Sequence, residues 1–357
     1  MTGLALLVAL ALAWPQHASA SSSCFTATGQ CLGVFFSNYW PLNGGLPVFG
    51  YPTTTVNPEV NPDIGATYLT QWFERNRLES HPEMPVPFTV LLGRLGDERL
   101  KQQGRDWTTF PKANPAAPHY FAVTGHAIAP QFWSYWSSHG LDLGDPGLSF
   151  QESLGLFGYP LSEPAMETNS SGDMVLTQWF ERARFEYHPL LAPPFTVLLG
   201  LLGNEVRAAR SPAPVPFYES RDVEPERFLI SYYDAINRHE YQRAYNYWEA
   251  PNALNGLPPF AQFAAGFATT EFVELTIGLA SGQGAAGSVF ADIPTVLVVR
   301  HTDASRQVFF GCYTVRHTNP GIDPNPAATL WRIYSAKIQE GPATATAASV
   351  LPAACSQ

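Results

Sequence analysis

The segment "LTQWFERNRLESHP" at positions 69 to 82 returns as "LTQWFERARFEYHP" at 176 to 189, and this duplication constrains the fold more than any other feature. Gln71 aligns with Gln178 and Phe88 with Phe195, both at an offset of 107, so the motif and its downstream flank repeat without a gap. The match extends outward. "VFGYPTT" (48 to 54) corresponds to "LFGYPLS" (156 to 162), and "PFTVLLGRLGDE" (87 to 98) to "PFTVLLGLLGNE" (194 to 205). "FFSNYWPLNGG" (35 to 45) corresponds more loosely to "QFWSYWSSHGL" (131 to 141), and the second copy has extra residues around "DLGDPGLSFQE". Such self-similarity means two copies of one supersecondary unit, and it must be explained before any residue is given a chemical role.

Within a copy, Phe132, Tyr135 and Trp136 fall at helical spacing, and the GYP that follows marks a turn. The polar stretches "VNPEVNPDIGA" and "EPAMETNSSGD" differ freely, as surface loops do. As one continuous strand, the QWFER segment would put Glu181 on a mostly apolar face and Phe180 on a polar one. A break at Glu181 to Ala183 removes the conflict, so the spacing predicts a hairpin of "LTQWF" and "RFEYHP" ended by Pro189.

Around this pair the chain divides as follows: a signal peptide over 1–20, module A over 21–104, a linker over 105–118, module B over 119–207, a Pro/Ala-rich linker over 208–224 and a last domain over 225–357. The signal rests on the apolar run "GLALLVALALAW" and the "ASA" site at Ala18 to Ala20, although no Lys or Arg precedes the run. No later stretch is long and apolar enough for a membrane span. In the last domain Phe228, Tyr232, Ala235 and Ile236 share one helical face after Pro225, and two further helical segments follow. The period then switches to two at Val273, Leu275, Ile277 and Leu279, with more strands at "TVLVVR", "QVFFGCYTV" and "ATLWRIYSA". The expected class is a multidomain α+β protein, with tandem β-rich hairpin modules followed by helices packed on an antiparallel sheet.

Composition narrows the partners. With 20 Lys and Arg against 30 Asp and Glu, a net charge of −10 and a pI near 5.3, the chain has no phosphate-tracking character, which excludes nucleic acid. Cys24, Cys31, Cys312 and Cys355 form an even set suited to an oxidising compartment. Four cysteines allow three pairings, and locality favours Cys24 with Cys31 and Cys312 with Cys355. The sequence has no CxxC, Cys/His cluster, phosphate loop or Ser-His-Asp signature, so no metal or cofactor is expected.

The C-terminal stretch "FLISYYDAINRHEYQRAYNYWE", with "VVRHTDASRQVFFGCYTVRHT", resembles the nuclear transport factor 2-like (SnoaL-like) superfamily. That resemblance implies an α+β cone with helices inside a curved antiparallel sheet, but no particular activity. The FGYP and QWFERxRFExHP modules resemble those of exported bacterial proteins. They are remotely similar to the LGFP repeats of cell-wall proteins, from which they depart where Glu-Arg-Ala or Glu-Arg-Asn replaces the glycines of the hairpin turn. This second resemblance implies a secreted or cell-envelope location.

Glu74 with Glu79, or Glu181 with Glu186, resembles the carboxylate pair of a glycosidase. The neighbouring arginines would depress both acids, the wrong direction for a general acid, so ion pairing across the hairpin is the favoured account. His81 and His188 are expected to end a strand and bond neighbouring backbone. Trp72, Arg75, Arg77, Trp133, Trp136, Trp179, Arg182 and Arg184 are the candidate binding residues, with sugar stacking weighed against core packing for the tryptophans. In the last domain Tyr233, Asp234, Tyr245, His301 and His317 are the candidate polar lining of a pocket, with Asp234 otherwise expected on a helix surface. The function expected is a non-catalytic binding or adaptor protein of the cell envelope that recognises cell-wall glycan or another polysaccharide. The alternatives are a hydrolase or isomerase/cyclase-like enzyme using the C-terminal cavity, and a structural protein that forms a homodimer through its last domain.

Overall fold

The computed structural model describes residues 23–210, 216–218, 220–252, 255–285, 287–323 and 325–356, so the expected signal segment 1–20 lies outside the described residues. Module A comprises β1 (Cys24–Phe25), β2 (Gln30–Cys31), α1 (Tyr39–Leu42), α2 (Gly45–Phe49), β3 (Asn57–Val60), β4 (Thr67–Trp72), β5 (Arg77–Ser80), β6 (Val90–Leu92) and α3 (Leu95–Gln102). Module B repeats the order with β7 (Tyr120–Phe121), β8 (His126–Ala127), α4 (Pro130–Ser137), α5 (Phe150–Phe157), β9 (Ala165–Thr168), β10 (Met174–Trp179), β11 (Arg184–Tyr187), β12 (Val197–Leu199) and α6 (Leu202–Ala208). In each, the four later strands form an antiparallel meander in chain order.

The hairpin forms where the residue pattern required a break. Trp179 pairs with Arg184, and the Phe180 N–H bonds the Ala183 carbonyl at 2.8 Å, leaving Glu181 and Arg182 as the turn. Phe73 and Asn76 close the first copy the same way at 2.8 Å. Helix α4 starts at Pro130, where a missing N–H is harmless, and buries Phe132 and Trp136 one turn apart. The polar stretches are only partly loops: their first halves form the edge strands β3 and β9, because each supplies a glutamate that bonds the motif tryptophan from across the sheet.

The two modules pack through exchanged helices. Gly96 of α3 lies so close to the Phe180 carbonyl that a Cβ there would sit 1.9 Å away, and Gly203 of α6 stands in the same relation to Phe73 at 1.8 Å. The Gly96 N–H bonds Glu181 O at 3.0 Å, and the Asn204 N–H bonds Glu74 O at 3.1 Å. Each module's last helix therefore seats on the other module's QWFER turn, a reciprocal, pseudo-twofold contact within one chain. The 105–118 segment is held in place as well: Arg105 pairs with Glu167 at 2.8 Å and Trp107 Nε1 bonds Asp97 at 2.8 Å. A side chain that reaches across to module B fixes what its proline content marked as a linker.

The last part contains α7 (Pro225–Asn237), α8 (Tyr241–Tyr245), α9 (Phe260–Ala265), β13 (Thr270–Ile277), β14 (Ser281–Ala285), β15 (Ser288–His301), β16 (Arg306–Thr318), β17 (Arg332–Gly341) and α10 (Ala347–Val350). The sheet runs β13-β15-β16-β17, with β14 alongside the first half of β15, and every pairing is antiparallel. Helix α7 is buried nearly all round, because the sheet covers one side while Val34, Phe35, Val56 and Leu69 of module A join the same apolar cluster. Disulfides link Cys24 to Cys31 and Cys312 to Cys355. The second ties the tail to the sheet, where α10 packs with Cys31, Val296 and Val308. Among the described residues no helix is long and apolar enough to cross a membrane, and no group of His, Cys, Asp and Glu is arranged to hold a metal ion.

Candidate functional site

Within the duplicated motif, alternate side chains of β4 and β10 point into the module. Buried Gln71 accepts from Gly33 N and donates to Cys31 O and Thr54 O, each at 2.8 Å. Gln178 satisfies the equivalent three backbone groups of module B. Beside them, Trp72 and Trp179 are each 1% exposed. Their indole N–H groups bond Glu59 at 2.8 Å and Glu167 at 3.0 Å. Arginines flank both rings: Arg77 and Arg210 at Trp72, and Arg184 and Arg105 at Trp179.

Arg77 is buried between Glu79 at 2.8 Å and Glu98 at 2.7 Å; Arg184 lies between Glu186 and Glu205 at 2.7 and 2.8 Å. Burial alone would raise the Glu79 pKa, but hydrogen bonds from His81, Asn61 and Arg77 outweigh it and hold this acid below the usual range. Burial would likewise lower Arg77, and its two glutamates keep it above its ordinary value. An acid held this way cannot donate a proton at neutral pH, so Glu79 fails as a general acid. Glu74 and Glu181 are structural too, accepting the Tyr51 and Tyr159 N–H groups of the GYP turns at 3.0 and 3.1 Å.

The expectation that the motif side chains face a ligand is therefore corrected for Trp72, Arg77, Trp179 and Arg184, which lie inside the modules. Trp136 is buried, and Trp133 already stacks on His119 and Trp136. Arg75 and Arg182 differ. They occupy the turn tips, part-exposed, and Arg75 reaches across the pseudo-twofold to bond Leu199 O at 3.2 Å.

Arg75 forms one wall of a groove of about 640 Å³ on module B, between the loop joining β9 to β10 and the loop after β11. Asn169, Ser171 and Asp173 form its polar rim; Met174, Leu191 and Leu198 supply apolar surface, and Glu186 and His188 lie at its base. The two copies have diverged here. In module A, Tyr68 stacks on His81 with ring centroids 3.8 Å apart, and Glu83 bonds its Nδ1 at 2.9 Å. In module B, Val175 and Leu190 occupy the corresponding positions, and Leu190 is 98% exposed. His188 Nε2 sits 3.5 Å from Glu186, as His81 Nε2 sits 3.5 Å from Glu79, but it is buried and makes no hydrogen bond among the described residues. The expected backbone partners of His81 are corrected: it faces carboxylates, because the strand pleat puts Glu79 on the same face two residues earlier.

The C-terminal candidates do not converge. His301 ends β15 beside Thr269 and Gln307, whereas His317 lies at the opposite end of that ladder against Trp331. Tyr245 donates to Pro258 O at 3.0 Å. Asp234, expected on a helix surface, is buried and paired with Arg243, because α8 packs against α7 and lays that arginine over it. Tyr233 bonds Tyr313 hydroxyl to hydroxyl at 2.6 Å. These two rings, with Tyr232 and Trp248, fill the space between α7 and the sheet. Burial pushes the Tyr313 phenol up to about 12, so it stays neutral.

The ion network across the modules escaped the residue pattern. Arg99 meets Glu205 at 3.4 Å, Arg94 meets Glu181 at 3.0 Å and Arg210 meets Glu98 at 3.7 Å. Its trace in the sequence is the glutamate that ends "GDE" and "GNE", Glu98 and Glu205, each followed by an arginine shortly after the helix, at 105 and 210.

No known protein family matches the chain, and no curated protein matches it. A solved structure named for scytalone dehydratase, from Novosphingobium aromaticivorans DSM 12444, is 8% identical and covers 34% of this chain and 83% of its own, with a TM-score of 0.26.

Proposed function

We propose that this is a non-catalytic binding or adaptor protein of the cell envelope, and that the groove on module B takes an extended polymer, a cell-wall glycan or another polysaccharide. The divergence of the two copies carries this reading. Where module A covers its histidine with Tyr68 and Glu83, module B has Val175 and the exposed Leu190 instead and leaves an open trough above His188. Amide, hydroxyl and carboxylate groups at Asn169, Ser171 and Asp173 suit sugar hydroxyls, and the surfaces of Met174, Leu191 and Leu198 suit the C–H faces of a sugar ring. The motif glutamates are engaged by arginines, histidines or backbone N–H groups, which favours binding over hydrolysis. In this reading the C-terminal part is a nuclear transport factor 2-like domain with a filled interior that serves as a scaffold.

The test uses the whole secreted chain, because module A shares an apolar cluster with α7 and a fragment ending near residue 210 would expose it. Sedimentation with insoluble peptidoglycan and a glycan array are run on the parent and on Met174→Lys/Leu191→Asp. Binding by the parent that falls about tenfold in the double variant supports the reading. Absence of binding to any wall polymer or polysaccharide sinks it, as does binding that the double variant leaves intact.

A further inference from the structure

A second cleft, open to solvent, lies between module A and the C-terminal part and shares no lining residue with the module B groove. It has a volume of about 320 Å³, within the range of small-molecule sites, and lies at a domain junction, where such sites concentrate. Two unpaired sheet edges face it. On one side runs β3 of module A with Asn57, Pro58 and Glu59; on the other runs β13 with Phe272, Val273 and Leu275. Val56 and Ile230 extend its apolar lining.

Charge and hydrogen-bonding capacity in this cleft are unevenly spent. Glu59 is engaged by Trp72 and Arg210, Asp234 by Arg243, and Arg238 by Glu240. Arg207, at the exposed end of α6, lines the same cleft and has no carboxylate partner among the described residues. One positive charge is therefore left over beside an apolar wall. The free edge of β13 adds a second unspent feature. The Val273 N–H and C=O both point off that edge and pair with the Asn237 side chain at 2.7 and 2.9 Å. Antiparallel ladders alternate every two residues, so the Leu275 N–H and C=O leave the same edge, and neither has a hydrogen-bond partner among the described residues. Because the cleft is open, water can meet both groups, and they set no requirement on a ligand.

We propose that this cleft binds a small amphipathic monoanion, with its carboxylate at Arg207 and its apolar body against Val56, Ile230 and Phe272. A neutral lipid-like molecule would leave Arg207 unused, and a cation would face it directly. Pro58 has no N–H to offer from the β3 edge, which disfavours a peptide strand bridging the two sheets. The site exists only when module A and α7 are docked, so occupancy joins the two parts of the chain.

The proposal is tested by titration calorimetry on the whole chain with octanoate, 1-octanol and octylammonium. Octanoate is expected to saturate at one site per chain, with 1-octanol about tenfold weaker and octylammonium not bound. Arg207→Ala, an exposed change that leaves folding intact, should weaken octanoate about tenfold and leave 1-octanol unchanged. Pro58→Trp, which fills the cleft from an edge strand, should abolish both, while Met174→Lys in the module B groove should change neither. The proposal is overturned if octanoate binds more weakly than about 1 mM. It is also overturned if 1-octanol binds as tightly, or if Arg207→Ala and Pro58→Trp leave octanoate affinity unaltered.

Discussion

Replacing Gly203 by alanine sets two physical effects against each other. By helix propensity alone, Gly→Ala within a helix stabilises by about 0.5–1 kcal/mol. Packing opposes it: the new Cβ would stand 1.8 Å from the Phe73 carbonyl oxygen and 3.1 Å from that of Asn76, both backbone atoms in a closed turn. Neither can swing aside as a flexible side chain would. Helix α6 must back away, which costs about 1–3 kcal/mol of overpacking strain. Retreat also stretches the Asn204 N–H to Glu74 bond, worth about 1 kcal/mol. The expected net is a loss of about 2–3 kcal/mol, seen as a lower urea midpoint with an unchanged slope. Gly96→Ala should do the same from the other side, because its Cβ would lie 1.9 Å from Phe180 O. Since both changes open one interface, the double variant should lose less than the sum of the two singles. Gly284→Ala, with nothing within 4 Å, is the control. A Gly203→Ala midpoint at or above the parent's would refute the exchanged-helix account.

The remaining predictions concern the cross-links and the histidines. Removing the Cys312–Cys355 bridge, which spans 43 residues, should cost about 4 kcal/mol, and removing Cys24–Cys31, which spans 7, about 2 kcal/mol, as read by urea unfolding of the double Ser variants. Burial would lower His81, but hydrogen bonds to Glu79 and Glu83 outweigh it and raise its pKa. Its contribution is therefore full below the unfolded pKa near 6.5 and is lost as pH climbs through the raised folded value. His126 has the opposite sign. Burial and the Lys112 ammonium, which donates to its Nε2 at 3.0 Å, lower its pKa, so its contribution is full above about 6.5 and falls as pH drops toward the folded value. His81→Gln should thus lose more melting temperature at pH 6 than at pH 8, and a loss independent of pH would contradict the assignment.

Much of this architecture was legible in the chain. The repeat at 69–82 and 176–189 specified two copies of one unit, because local side-chain periodicity survives duplication. The hairpin break at Glu181 to Ala183 followed from alternation, and the helices and strands after Pro225 from the switch in period. Local pairing of the four cysteines was legible for the same reason: short loops close most easily. Which side of each hairpin faces inward was not. Alternation says that Trp179 and Gln178 point to opposite sides of a strand, but not that both sides are covered, and both are.

The sequence alone determined the modules, the hairpin within each, the α+β character of the last part and the oxidising chemistry of its cysteines. All of these depend on residues near one another along the chain. Only the tertiary structure decided that α3 and α6 are exchanged across the pseudo-twofold, that Arg77 and Arg184 are interior while Arg75 lines a groove, and that Asp234 is covered. Each of those outcomes depends on which distant surface docks against an element, and burial and charge pairing are properties of that docked pair. The open groove on module B and the cleft beside Arg207 belong to the same class: neither can be read from the spacing of the residues that form it.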